Sequence, residues 1–125
     1  MHSYHSLIVW QRAHDLCIKT LEATDDANVP RAWAVFDQLR RAVVSIEANI
    51  VEGYALGTPG YFRRHVRIAF GSAAEAECLI RIAAKRTYLR REVVKPLLTL
   101  ADETLRVLFG LMRSQRRGKG GFSEQ

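Results

Sequence analysis

Apolar residues recur along this chain at steps of three and four and never alternate at steps of two, a pattern that predicts helices and no strands. A first helix is predicted from about Leu7 to Ala23, capped by Ser6, with Val9, Trp10, Ala13, Leu16, Cys17 and Leu21 on its inner face. The stretch TDDANVP, Thr24 to Pro30, reads as a loop. A second helix, about Arg31 to Tyr54, sets Phe36, Leu39, Val43, Ile46 and Ile50 on one stripe, and Gly53 and Gly57 suit its C-terminus. Thr58 before Pro59 is a helix start signal. The third helix then carries a continuous seam of Phe62, Val66, Ala69, Ala73, Ala76, Ile80 and Ala83 as far as about Tyr88. A leucine-rich fourth helix begins between Arg90 and Glu92 and reaches about Arg113, with Pro96 in its first turn or so. Four amphipathic helices on short connections predict an all-α fold, an antiparallel up-down-up-down four-helix bundle over residues 1–113. Residues 114–125, SQRRGKGGFSEQ, are predicted to be a flexible basic tail.

The second helix contains a stretch that a simple core stripe does not explain, QLRRAVVSIEANIVEG at residues 38–53. Turned at about 100° per residue, Gln38, Arg41, Ser45, Asn49 and Glu52 form a polar ribbon beside the apolar stripe. On the third helix a parallel row runs through Tyr61, His65, Ile68, Ser72, Glu75, Leu79 and Ile82. Arg41, Ser45 and Asn49 are expected to meet Ser72 and Glu75 in partly buried hydrogen bonds that set helix register. A catalytic or ligand pocket at the same residues is the competing reading, and no base, nucleophile or metal set accompanies it. Almost opposite the core lie Val44, Ala48 and Val51, flanked by Arg40 and Glu47. Scattered surface valines are ordinary, but a helix apolar on two sides suits two partners, so Val44, Glu47 and Val51 are expected at an interface between copies in a symmetric homo-oligomer.

LIVWQRA at 7–13, QLRRAVVSIEANIVEG at 38–53 and IAFGSAAEAE at 68–77 occur in an order and at spacings that resemble the 23S rRNA-intervening sequence protein family, over about residues 5–112. That resemblance implies an antiparallel four-helix bundle assembled into a ring, usually a pentamer, with no established biochemical activity. The chain is also similar in fold and charge to the accessory proteins of diversity-generating retroelements, basic pentameric bundles that work with a reverse transcriptase and nucleic acid. It departs from the family at Trp33, where many relatives have an acid, and at Tyr54 and Ala55, near which they carry an arginine.

Charge adds what periodicity leaves out. Residues 1–62 hold five Lys/Arg and seven Asp/Glu, a balance of −2, whereas residues 63–125 hold fourteen and six, a balance of +8. Arg63, Arg67, Arg81 and Lys85 share one side of the third helix, Arg86, Arg90 and Arg91 crowd the next turn, and Arg113, Arg116, Arg117 and Lys119 follow. These positions suit phosphate contacts, and the pattern points to RNA or DNA, with RNA the expected form, bound through the backbone. The alternative is an interaction scaffold whose basic face meets an acidic or nucleic-acid-processing protein, or only keeps the assembly soluble.

Other chemistry lacks its residues. The Glu-x-x-His pairs of di-iron bundles do not occur, and Glu75 and Glu77, two apart, point to different sides of a helix. GKGG near the end lacks both the spacing and the Ser/Thr of a phosphate loop. His2, His5, His14 and His65 lie in separate contexts, and Cys17 and Cys78 form no C-x-x-C pair, so reduced thiols, no metal, no cofactor and no enzymatic activity are expected. Apolar runs reach about five residues, as in Ala32 to Phe36, far short of the ~18 of a bilayer span. With 125 residues, 48% of them hydrophobic, the chain is expected to be one cytoplasmic domain.

Overall fold

A computed structural model of the protein describes residues 3–116. The tail beyond, with Arg117 and Lys119, lies outside the described residues, as do His2 and the Arg116 side chain. Among the described residues all regular structure is helical: α1 (Ile8–Asp26), α2 (Trp33–Leu56), α3 (Pro59–Lys85) and α4 (Arg91–Arg116), with single 3-10 turns at Tyr4–Ser6 and Pro30–Ala32. Sequential helices pack against each other and α1 also packs on α4, so the bundle is four-sided, with α2 against α3 the most extensive contact.

The apolar stripes face the centre as their spacing predicts. All seven seam residues of α3 are buried, as are Phe36, Leu39, Val43, Ile46 and Ile50 on α2. On α1, Val9, Ala13, Leu16 and Cys17 are buried, while Trp10 and Leu21 only flank the core. In α4 the leucines share the interior with Val94, Ala101 and Thr104. Burial of this kind contributes roughly 1.5 to 3 kcal/mol per large apolar side chain. No helix among the described residues is long and apolar enough to cross a membrane.

The helix ends differ from their predicted positions for local reasons. Ser6 belongs to the preceding 3-10 turn, and Leu7 stands at the start of α1 without a side-chain cap. At the other end, α1 continues through Thr24 to Asp26, because Thr24 is buried and returns its hydroxyl to the Thr20 carbonyl at 2.9 Å. Arg40 of α2 stabilises that extension. Its Nε donates to Thr24 Oγ1 at 3.0 Å, its Nη2 donates to the Thr24 carbonyl at 3.2 Å, and the same group lies 3.7 Å from Asp25. A cation at a helix C-terminus offsets the unfavourable end of the dipole.

Gly57, at φ 80°, ends α2 in the left-handed region. Thr58 then caps α3 by accepting from the Tyr61 N–H at 3.3 Å, with Pro59 in the first turn as predicted. The third helix stops at Lys85, short of Tyr88, because Thr87 takes φ 57° and the Tyr88 N–H turns back to the Ala83 carbonyl at 2.8 Å. That is the closure which ordinarily uses glycine, here made by a β-branched residue.

Gly53 does not end α2. It lies inside the helix, where a Cβ would come within 2.8 Å of His65 Cβ and 3.4 Å of Phe62 Cα. The missing side chain lets α2 and α3 approach closely. We expect Gly53→Ala to destabilise the fold by about 1 to 3 kcal/mol in denaturant unfolding despite alanine's better helix propensity, the cost of overpacking a contact with no room to move. Unchanged or higher stability would show that the approach is looser than this.

Candidate functional site

Three features of the surface bear on function: the polar line between α2 and α3, the apolar groove between α1 and α2, and the arginines of α3 and the turn beyond it.

Along α2 and α3, Ser45 Oγ meets Ser72 Oγ at 2.9 Å, and Asn49 Nδ2 donates to the Ser45 carbonyl at 2.8 Å and to Ser45 Oγ at 3.2 Å. With its amide nitrogen so committed, Asn49 presents Oδ1 to His65 Nδ1 at 2.9 Å, which assigns the proton to that ring nitrogen. Glu52 is exposed and stands 3.9 Å from the same nitrogen. Glu75 is also exposed and accepts from Gln38 Nε2 at 2.6 Å. Arg41 was expected in this seam and is not there: it points to water and pairs with Asp37 one turn back at 3.1 Å. Its position on the helix wheel is a little too far out, and the helix offers a nearer carboxylate. Gln38 and His65 complete the line in its place.

In the apolar groove, Val44 is 48% exposed, Val51 is half-buried, and they line an open depression with Cys17, Glu47, Ala48 and Glu52. Ile18 adds exposed apolar surface on α1. Glu47 is bonded to His14 Nδ1 at 2.8 Å, and the His14 ring stacks on Trp10 at 4.6 Å. The Trp10 indole N–H is buried and has no hydrogen bond among the described residues.

The cations divide into two populations. Arg12, Lys19, Arg40, Arg41, Arg81 and Arg106 each lie within 4.0 Å of a carboxylate. Arg81 is thereby partly neutralised by Glu77 at 2.7 Å, unlike the other arginines with which it shares a stripe. Arg31, Arg63, Arg64, Arg67, Lys85, Arg86, Arg90, Arg91, Lys95 and Arg113 are exposed and have no acid partner among the described residues. Arg63, Arg64 and Arg67 lie near the start of α3, while Lys85 to Arg91 lie at and just beyond its far end, roughly 30 Å away at about 1.5 Å of rise per residue. The stripe is therefore two clusters, one at each end of the bundle. At the first, Arg113 lies over Phe109 at 5.9 Å and, with Arg67 and Met112, rims a small depression. At the second, Arg31 and Arg86 lie 5.6 and 6.0 Å from the centre of the Tyr88 ring. Of the aromatics near the ends of α3, Phe62 is buried and Tyr88 half-buried, but Tyr61 is half exposed. Trp33 is 71% exposed near the second cluster, a feature that periodicity alone does not reveal.

The two cysteines differ sharply. Burial, with the charge and a hydrogen bond of Glu47 adding to it, pushes the Cys17 thiol up to about 11, while Cys78 is exposed. A raised value keeps Cys17 as the unreactive thiol at any pH well below 11. Titration of the native protein with a thiol reagent at mildly alkaline pH should therefore modify Cys78 quickly and Cys17 only after denaturant is added. Equal rates in the native protein would contradict this placement.

The chain matches the family described as 23S rRNA-intervening sequence protein over residues 5–110. Among curated proteins none matches it. A crystal structure of a protein of unknown function from the S23 ribosomal protein family of Bacteroides thetaiotaomicron superposes with a TM-score of 0.78 at 20% identity, covering 85% of this chain and 99% of that one. At that identity the likeness speaks for the bundle alone, but the profile match spans most of the sequence and agrees with the helices described above. The chain belongs to the 23S rRNA-intervening sequence protein family.

Proposed function

We propose that the protein is a non-enzymatic accessory or scaffold that binds nucleic acid, RNA in the first instance, through the basic clusters at the two ends of the bundle. The observation that carries this reading is the segregation of charge. The cations of α1 and α2 are mostly matched to carboxylates, whereas Arg63, Arg64, Arg67, Lys85, Arg86, Arg90 and Arg91 stand unmatched among the described residues. Clustered like charges repel, and a polyanion supplies the countercharge they lack.

The reading includes self-assembly into a ring, a pentamer by family resemblance. Apolar side chains are exposed or half-buried on both flanks of α2. Val44, Ala48 and Val51 lie toward α1, while Tyr61, Ile68 and Ile82 lie in the α3 row whose His65, Ser72 and Glu75 bond to α2. In a four-sided bundle these two faces meet at about 90°. Docking one on the other in successive copies turns by a similar angle each time, and a ring closes after four subunits at about 90° or five at about 72°. Each end of the bundle then becomes part of a rim, and both basic clusters are repeated around it.

Two measurements test the proposal. RNA binding across a salt series should weaken with a steep log-log slope, and Arg86→Ala with Arg91→Ala should reduce that slope by roughly 0.7 per lost contact on a single strand. Absence of binding at low salt would leave an interaction scaffold as the better reading. Val44→Asp should lower the mass in solution without loss of helix content; a variant with the parent's mass would remove Val44 from any contact between copies.

A further inference from the structure

We propose that the cavity between the end of α1 and the α3–α4 turn is a pocket for one guanine base of single-stranded RNA. The inference rests on the nucleic-acid reading and adds to it a base that the protein would recognise.

The cavity holds about 390 Å³, within the range of small-ligand sites. Val29, Leu89 and Val93 give it apolar walls suited to a flat ring. Its polar lining is of two kinds: Asp26 and Asn28 come from the end of α1 and the connection after it, and Arg90 comes from the turn just before α4. Asp26 and Arg90 are opposite in charge and line one cavity, yet they form no ion pair, and neither has another acid or base partner among the described residues. Both side chains are exposed to water, which a ligand that offers donors on one edge and acceptors on another would replace.

Guanine fits this pattern. Its N1–H and N2–H donors lie side by side and suit a carboxylate, while O6 and N7 accept from a guanidinium. Adenine presents the N1 lone pair where guanine has a proton, which sets acceptor against acceptor at Asp26. Phosphates on either side of an inserted base would meet Arg86 and Arg91, both exposed next to the cavity residues.

Two locally unfavourable residues border the same space. Asp26 is the last residue of α1, where the helix dipole disfavours a carboxylate, and unlike Asp25 it has no arginine among the described residues to offset it. Thr87 holds φ 57° where glycine would be relaxed. Neither choice helps the fold, and both line the cavity.

The test uses the full chain and fluorescent oligouridylates carrying a single central guanosine or a single central adenosine, at low salt. The guanosine strand should bind about tenfold tighter or more. Asp26→Asn should bring the two strands to within about twofold of each other, with a melting temperature no lower than the parent's. Equal binding of the two strands by the parent protein would overturn the pocket and leave phosphate binding standing, whereas no binding of either would remove the nucleic-acid reading with it. Guanosine monophosphate competing as well as the guanosine strand would overturn RNA as the source of the base.

Discussion

The close approach of α2 to α3 is the constraint on which the remaining geometry depends. Gly53 leaves no side chain between the helices, so His65 and Phe62 come against the α2 backbone. Once they do, the polar groups along that side must find partners across the gap, and they do so at Ser45 and Ser72, Asn49 and His65, and Gln38 and Glu75. Gln38 and Glu75 face water, but the other two pairs are part-buried; leaving one such group unpaired costs about 1 to 3 kcal/mol, so a slide of one helix past the other is penalised at both points together. An apolar seam alone tolerates such slips more easily. The alanines Ala69, Ala73, Ala76 and Ala83 extend the same logic, since small side chains keep the helices near each other along the length of α3.

This register decides what α3 presents outward. With His65, Ser72 and Glu75 committed to α2, the row of Arg63, Arg67, Arg81 and Lys85 is turned away from α2 toward the outside of the bundle. Arg81 finds Glu77, but the others have no carboxylate on their own helix at the right spacing. The unmatched charge therefore collects toward the helix ends, where Arg90 in the turn before α4, Arg91 at its start and Arg113 near its C-terminus add to it. The α1–α2 side has a different character: its charges are largely paired, and Val44 and Ile18 remain open to solvent.

Much of this fold is legible in the sequence because core positions obey one geometric rule. Phe62 through Ala83 recur at three and four, and each is buried. Helix ends follow weaker, local rules. A buried Thr24 tied by Arg40 extends α1 into what resembles a loop, and Thr87 stops α3 where a glycine would have signalled the turn. Gly53 looks like a terminator because its use depends on His65, which is twelve residues on in sequence and adjacent only in space. The polar seam was half legible: a helix wheel picks out Ser45, Asn49 and Ser72, but cannot tell that Arg41 reaches Asp37 first. The end cavity left no signal at all, since its walls come from residues 23–29 and 87–93.

Native-state hydrogen exchange tests the primacy of the α2–α3 contact most directly. If that contact governs the fold, the slowest amides belong to facing turns of α2 around Ser45 to Gly53 and of α3 around Phe62 to Ser72, with α1 and α4 opening first. Slowest exchange in α1 and α4, with α2 and α3 opening earlier, would contradict the account.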